Sequence, residues 1–597
     1  MEHQKQPSIR SSFPRATYPV IRENQVTALT FIEKHPDEIN ILELPTGTGK
    51  TAVGYAYLNM RMKLGNGSCI YMAPTKALVE QVSRMHPEFT SVYGRSEYEC
   101  LYYPDEKLKA DEIPCLQLMD CPHRVDQETG ETMEEGAEPC PYYAAKFRAR
   151  RSQLVVCTVA FYFFAQWYQQ LWEKLAGVVV DEAHDIAKAI RQCLSFDITD
   201  YSLSRSVALL KEIGVEEAAI LQKFLNRMIY LVKRKPPHKP TLLDDEEVEK
   251  LLAILREVDP KTFTEKIALA IKDGRIDPKK DRETLLKLDG IVRNLSRYMR
   301  QLEFSLPIEN RNPLNFVYAF YREELIGQEK VQYRLVVRAF YVAPVIKRIL
   351  PKCHTLAYSA TIGNPEIFSY DTGIDGNFLS LPSPFAAEKT RVFLPIDTPN
   401  LAVKERSRQE PTKVLRRIAK TCYRFAKNGI RSLVVVESNI ERDKFVLLCG
   451  EEGVNVISYG NGIAPKEAIT KFKQGEGDVL VGTSANYGEG IDLPRQLAPV
   501  IFFLRPGYPS PEDPSTKFQE RRFRKMFWPL TNWRVMLEAL QVRGRNIRSD
   551  EDLGVTFFIS QQFRRFLFAS LPEWLQKAYQ GNKTFDECVE EAEKLLK

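Results

Sequence analysis

The stretch Leu44-Pro45-Thr46-Gly47-Thr48-Gly49-Lys50-Thr51 decides how this chain is read. An apolar run, Ile39–Leu44, precedes it, and a helix-like run, Ala52–Lys63, follows it. A glycine-rich turn between a strand and a helix lets backbone N–H groups close around phosphates. Lys50 can then reach the β- and γ-phosphates, and the Thr51 hydroxyl can bind Mg²⁺. Leu44 stands where the generic phosphate loop has its first glycine. A chance Gly/Thr turn is the competing reading, and the flanking strand and helix speak against it.

Val178-Val179-Val180-Asp181-Glu182-Ala183-His184 supplies a partner. Apolar residues ending in paired acids suit the carboxyl edge of a parallel strand. There Asp181 can hold Mg²⁺, and Glu182 can orient and deprotonate an attacking water. An acidic pair alone is more often a helix N-cap; beside a phosphate loop it points to an ATPase.

Far downstream, Gln541-Val542-Arg543-Gly544-Arg545-Asn546-Ile547-Arg548 places Gln541, Arg545 and Arg548 at spacings of four and three. On one helix these share a face, from which arginines can meet a γ-phosphate across a cleft. A solvated basic face is the plain alternative. Gly488-Glu489-Gly490-Ile491-Asp492-Leu493-Pro494 follows another apolar strand. Gly490 permits a tight loop, and Asp492 can accept hydrogen bonds from a ribose or an arginine.

Short apolar runs alternate with helical segments in two regions. The first holds Ile39–Leu44, Ser68–Ala73, Leu154–Thr158, Gly177–Asp181 and Thr355–Ser359; the second holds Ser432–Glu437, Asn455–Ser458, Val479–Thr483 and Pro499–Leu504. This pattern predicts two doubly wound α/β domains with parallel sheets. Two stretches interrupt the first domain. Tyr93–Ala149 is acidic and cysteine-bearing. Arg191–Lys347 reads as amphipathic helices, such as Asp244–Val258 and Arg282–Leu302, divided by a basic loop from Lys233 to Pro240.

Composition narrows the class without naming it. The 597 residues suffice for about four domains. They carry 84 Lys+Arg against 78 Asp+Glu, a net charge of +6 that permits a nucleic-acid partner only if the positive charge is local. The most apolar stretch, Leu154–Ala165, is too short to span a membrane. No apolar run follows Met1-Glu2-His3-Gln4-Lys5, so no secretory signal is expected, and a reducing cytoplasm is the default setting. The 11 cysteines are therefore read as packing residues or metal ligands, with Cys69 and Cys157 assigned to packing in central strands.

Taken in order, these segments resemble superfamily 2 helicases, and more closely the XPD/DinG family of iron–sulfur DNA helicases. Arg22-Glu23-Asn24-Gln25 resembles the adenine-reading segment. Ala73-Pro74-Thr75-Lys76-Ala77-Leu78 with Gln81 resembles the motif that contacts the DNA backbone. Asp181-Glu182-Ala183-His184 is similar to the family's box, although Asp185 follows where Asn is usual. Tyr358-Ser359-Ala360-Thr361 resembles the motif coupling hydrolysis to movement, and Ser383-Pro384-Phe385 the passage into the second motor. Departures also fall at Tyr487-Gly488 and at Ser560.

The resemblance implies two RecA-like motor domains. The first is assembled from 1–92, 151–190 and 348–385, with an Fe–S domain at 93–150 and a mainly helical arch at 191–347 inserted in it; the second spans 386–597. It implies ATP and Mg²⁺ as cofactors. Thr46, Gly47, Thr48, Gly49, Lys50, Thr51, Arg22, Gln25, Gly490 and Asp492 would line the nucleotide, Thr51 and Asp181 would hold the metal, and Lys50, Asp181, Glu182, Gln541, Arg545 and Arg548 would carry the chemistry.

Cys100, Cys115, Cys121 and Cys140 are separated by 14, 5 and 18 residues. Spacing alone suits zinc or iron–sulfur equally; the resemblance implies a [4Fe–4S] cluster. It also implies a monomer that travels 5′→3′ on single-stranded and forked DNA in repair or damage response. Basic and aromatic residues interleave in Tyr142–Arg151 and Lys517–Lys525, as single-strand binding would need; for the second segment an amphipathic helix fits as well. Two rivals stay open at this point. One is a DExH-type RNA helicase with a zinc-binding insertion, the other a non-unwinding, ATP-gated binding or remodelling subunit.

Overall fold

The computed structural model describes residues 8–597 except 66, 105–106, 114, 116–117, 119–120, 235–240, 258, 279, 306–315, 326–329, 385–386, 403–409, 461, 488–492, 494–496 and 545–551. Two seven-stranded sheets, both wholly parallel, organise it. The first contains β1 (Asn40–Glu43), β2 (Ser68–Ala73), β3 (Thr90–Val92), β4 (Leu154–Thr158) and β5 (Leu175–Asp181). A separate antiparallel sheet follows, made of β6 (Phe196–Thr199), β7 (Thr241–Leu242), β8 (Phe316–Leu325) and β9 (Lys330–Ala339). The chain then returns to the first sheet with β10 (Thr355–Ser359) and β11 (Asn377–Ser380), giving the order β11-β1-β10-β5-β2-β4-β3.

The second parallel sheet is built from β12 (Thr390–Phe393), β13 (Ser432–Val436), β14 (Val456–Ser458), β15 (Val479–Thr483), β16 (Val500–Phe503), β17 (Gly554–Phe558) and β18 (Tyr579–Gln580). Its order is β14-β15-β13-β16-β17-β12-β18.

Strands buried on both faces need apolar residues at every position, and these have them. Ile70 and Met72 of β2 enter one core with Val155, Cys157, Val178 and Val180, while Cys69 and Tyr71 enter the other with Val156, Val179 and Tyr358. Cys69 and Cys157 are both fully buried. In the second sheet, Val434, Val436, Phe502 and Phe557 lie on one side, and Leu433, Val435, Phe503 and Phe558 on the other.

The region read as helical is mainly so: Asp200–Glu212, Ala218–Lys233, Asp245–Leu255, Pro260–Lys272 and Arg282–Ser305 are helices. The antiparallel sheet within it is a finding the helical reading missed. Val331, Tyr333, Val336 and Val337 in β9 carried the β-branched and aromatic signal. The cysteine-bearing insertion is built differently, from short turns and isolated bridges around a small apolar cluster of Cys100, Tyr103, Ile113 and Leu118. It touches the helical insertion where the Tyr103 hydroxyl donates to the Pro278 carbonyl at 2.6 Å.

One helix, Pro514–Arg543, joins the two parallel-sheet domains. Pro529 lies inside it, and Arg524 breaks its course with φ near 26°. Leu530, Trp533 and Leu537 enter the first domain's core, while Val535, Met536, Ala539, Leu540 and Val542 enter the second's. The Trp533 indole donates to the Ile362 carbonyl at 2.8 Å. Beside it, buried Asp371 accepts from Arg191 at 2.8 Å and from Arg534 at 2.5 Å. Burial opposes ionisation of Asp371, but the two guanidiniums overcome it and hold the carboxyl at about 2.

Asp371→Ala should therefore destabilise this junction by about 3 kcal/mol, because two partly buried cations lose their buried, shared counter-ion. The expected result is a lower thermal midpoint and faster proteolysis within 514–543; a midpoint equal to the parent's would exclude the triad as an interdomain clamp. Since the native pKa is depressed, the contribution is present above the ordinary aspartate range and should fade as pH falls toward 2.

Candidate nucleotide site and cysteine-lined cavity

Register places the site. Leu42 of β1 stands beside Tyr358 of β10, and Tyr358 beside Asp181 of β5, so three carboxyl-terminal strand ends lie in one row. In open α/β sheets this edge is where ligands bind. The phosphate loop leaves β1 there and runs into the helix Lys50–Leu64. Gly49 has φ near 79°, and a Cβ on it would lie 2.4 Å from the Gln25 amide nitrogen. Glycine is thus required for both conformation and space.

The adenine-type segment braces this loop. Arg22 donates to the Gly47 carbonyl, Gln25 Nε2 donates to the Gly49 carbonyl at 3.3 Å, and Gln25 Oε1 accepts from the Arg22 backbone at 2.9 Å. Arg22, Thr46, Gly47, Gly49, Lys50 and Thr51 line a cavity of about 660 Å³. Thr48 is turned inward, its hydroxyl donating to the Pro45 carbonyl at 2.8 Å.

Lys50 is ion-paired with Glu182, whose side chain keeps about a quarter of its exposure. Ser359 donates to the other Glu182 oxygen at 2.8 Å. Burial raises the Glu182 pKa, but the Lys50 and His184 charges and the hydrogen bonds from Lys50 and Ser359 outweigh it, so the net shift is downward. Asp181 lies beneath the cavity, 3% exposed. Burial first, and then the Glu182 charge, push its pKa up. A cation beside it would relieve both. Asp181 Oδ2 accepts from the Tyr71 hydroxyl at 2.8 Å, and Tyr71 meets the Tyr358 hydroxyl at 2.8 Å. Thr51 lies near the same phenol and works against the rise in its pKa. The two residues expected to hold Mg²⁺ thus both border Tyr71.

Across the cleft, Gln541 contacts His184 and donates to Asp185 at 3.3 Å. His184 meets Ser359 at 2.5 Å through its other ring nitrogen. Asp185, in the place where Asn is usual, therefore has a use: it accepts from Gln541 and pairs with His184 at 3.2 Å. The described helix Pro514–Arg543 carries Gln541 and is capped by Gly544, whose N–H donates to the Leu540 carbonyl at 2.8 Å; the expected continuation through Arg548 lies outside the described residues. Arg545 and Arg548 lie outside the described residues, as do Gly490 and Asp492.

Residues that the motifs did not announce complete the site. Tyr71, Tyr358 and Ser359 are read from sequence only as strand or motif positions. Glu43 is another: its buried carboxylate accepts from Ile362 and Gly363 backbone N–H groups, both at 2.7 Å, and from Ser380 at 2.7 Å. A charged residue ending an otherwise apolar strand was the available signal.

Cys100, Cys115, Cys121 and Cys140 line one small cavity of about 20 Å³, with Ile113, Leu118 and Arg124 beside them. Burial raises the pKa of Cys100, Cys115 and Cys121, and neighbouring cysteines add to the rise. Four thiols around one cavity are a donor set suited to a thiolate-bound metal. Among the described residues, however, no three or more His, Cys, Asp or Glu close to a metal-holding arrangement.

The two basic–aromatic segments are partly occupied. Arg150 and Arg151 donate to the Gln127 and Glu128 carbonyls. Phe518 and Phe523 pack on Phe340, while Arg521, Arg522 and Arg524 are exposed. No described helix is long and apolar enough to cross a membrane.

Two family models match the chain: DEAD_2 over residues 60–203, and the helicase C-terminal domain over 428–578. Both matches are to helicase domains, and they support an XPD/DinG-type superfamily 2 helicase. They likewise support an ATP-dependent nucleic-acid helicase. No curated protein matches it in sequence. An XPD helicase structure is similar in fold at a TM-score of 0.58 and 17% identity, an apo XPD structure at 0.56 and 15%, and S. tokodaii Xpd4 at 0.54 and 13%; each match covers 94% of this chain and 100% of the other.

Tyr71→Phe should cost about 1–3 kcal/mol, because a buried carboxylate loses a donor. It should also weaken Mg²⁺-dependent nucleotide binding. Unchanged melting and unchanged binding would show that the phenol does not hold Asp181.

Proposed function

We propose that the chain is an ATP-driven translocase on single-stranded DNA that separates duplexes ahead of it, travelling 5′→3′ as a monomer in repair or damage response. The observation that carries the reading is convergence: Lys50 and Glu182 from the first parallel-sheet domain meet Gln541 from the second around one cavity. ATP would draw Lys50 from Glu182 onto its phosphates. Glu182, released from its cation but still oriented by Ser359, would then accept a proton from the attacking water. Thr51 and Asp181 would hold Mg²⁺, which shields phosphate charge. Arg545 and Arg548 would stabilise the transition state, and Gly490 and Asp492 would border the ribose.

Cys100, Cys115, Cys121 and Cys140 would hold a [4Fe–4S] cluster that fixes an insertion with little apolar core of its own. The helical insertion would form an arch over the strand. The aromatic rings near Phe518 and Phe523 favour packing over base stacking there, which leaves the exposed arginines as backbone contacts.

Glu182→Gln should retain ATP binding and slow hydrolysis by about 10²-fold or more; a normal rate would remove Glu182 as the base. Unwinding of 5′-tailed, but not 3′-tailed or blunt, DNA is expected. ATPase stimulated only by RNA would favour an RNA helicase, and DNA-stimulated ATPase without strand separation a remodelling subunit.

Cys115→Ser should keep some DNA-stimulated ATPase and lose strand separation. Iron and sulfide are expected in anaerobically purified parent protein; zinc without iron would overturn the cluster assignment.

A further inference from the structure

The cleft contains a cation that the motifs do not employ. Arg543, the last residue of the helix Pro514–Arg543, is 5% exposed and lines the same cavity as Lys50 and Glu182. Its Nη2 donates to the Thr390 hydroxyl at 2.8 Å, and its guanidinium stands 5.5 Å from the Trp574 ring centre. Its Nε is buried with no hydrogen-bond partner, and among the described residues no carboxylate pairs with it. The Trp574 indole N–H is also buried and unpartnered, and Trp574 lines the cavity too.

A buried guanidinium without a counter-ion is costly, and such charges are ordinarily paired. The contrast with Arg534 on the same helix is direct, since Arg534 has Asp371. Burial pulls the Arg543 pKa down to about 10, and among the described residues no anion opposes it. At neutral pH it is nonetheless charged.

A counter-ion that the described residues do not supply has a natural source. Gly544, the next residue, lies against the phosphate loop: a Cβ there would be 3.9 Å from the Thr46 hydroxyl. Gln541, two residues before Arg543, already contacts the acidic box. Arg543 therefore leaves the helix between two contacts with the phosphate-binding half of the cleft.

We infer that Arg543 is a phosphate-binding residue supplied by the second parallel-sheet domain, and that the polyphosphate of a bound nucleotide is its counter-ion. This rests on the nucleotide reading of the cavity and adds a residue to it. Thr390 holds the guanidinium while the site is free, and Trp574 limits its exposure to water. Thr390 itself stays satisfied without Arg543, because its hydroxyl donates to the Gly554 carbonyl at 3.0 Å.

The test compares Arg543→Met and Arg543→Lys with the parent, full length, by thermal melting of free protein and by titration with a non-hydrolysable ATP analogue and with AMP. Methionine removes the uncompensated charge and keeps most of the volume. Free Arg543→Met should melt at the parent's temperature or higher. Its affinity for the ATP analogue should fall about tenfold or more, as loss of a charged hydrogen bond predicts, while AMP affinity changes little. Arg543→Lys should bind the analogue with intermediate affinity. A lower midpoint for free Arg543→Met makes the residue a structural one and overturns the inference. Unchanged analogue affinity overturns it as well, as does an equal loss for AMP. If the parent itself binds no ATP analogue, the nucleotide reading of the cavity fails first.

Discussion

The structure depends on keeping Lys50 and Glu182 within reach of each other at the edge of a parallel sheet. An ammonium and a carboxylate in a partly closed cleft attract more strongly than in water, but each must first lose solvent. That loss is tolerable only if both groups are held in place by other bonds. Ser359 holds Glu182, the start of a helix holds Lys50, and β10 lies between β1 and β5 so that the three strand ends coincide. The insertions and the second parallel-sheet domain are arranged around this row. Both insertions leave and rejoin the first domain without disturbing the order of its sheet.

A relay of hydrogen bonds extends from that pair in two directions. Downward it passes through Asp181 to Tyr71 and Tyr358, which sit directly beneath the phosphate loop; a side chain on Gly54 would strike the Tyr358 hydroxyl at 2.5 Å. Outward it passes through Ser359 and His184 to Gln541 in the second domain. A change in the charge at Glu182 is therefore felt by a residue of the other domain through three contacts. Glu43 fixes the loop after β10 from the opposite side, so Ser359 cannot shift alone.

The parts of this site that are local in sequence are legible in the residues alone. The phosphate loop, the acidic pair and the central strands each declare themselves within about ten residues, because glycine conformation and strand burial are local constraints. Tyr71, Tyr358, Glu43 and Asp371 are different. Each occupies an ordinary strand or helix position, and its meaning comes from a register or a neighbour far away in the chain. Edge strands such as β3, β11 and β18 escape a sequence reading because two to four residues carry too little periodicity. The cap of the Pro514–Arg543 helix is legible in principle: Gly544 is a usual stop signal. The antiparallel sheet is hidden by the stronger helical pattern around it.

The helix Pro514–Arg543 has one further consequence. Because Leu530, Trp533 and Leu537 belong to one core and Met536, Ala539 and Leu540 to the other, the helix is common property of both domains. A hinge that swung the domains apart would strip three large apolar side chains from the first core. Wetting each would cost about 1.5–3 kcal/mol, before the Asp371 triad is counted. Sliding along the helix axis keeps those side chains covered and exchanges one set of neighbours for the next. The geometry thus favours shear over hinge, with small displacements beside the helix and larger ones at the far ends of the two sheets.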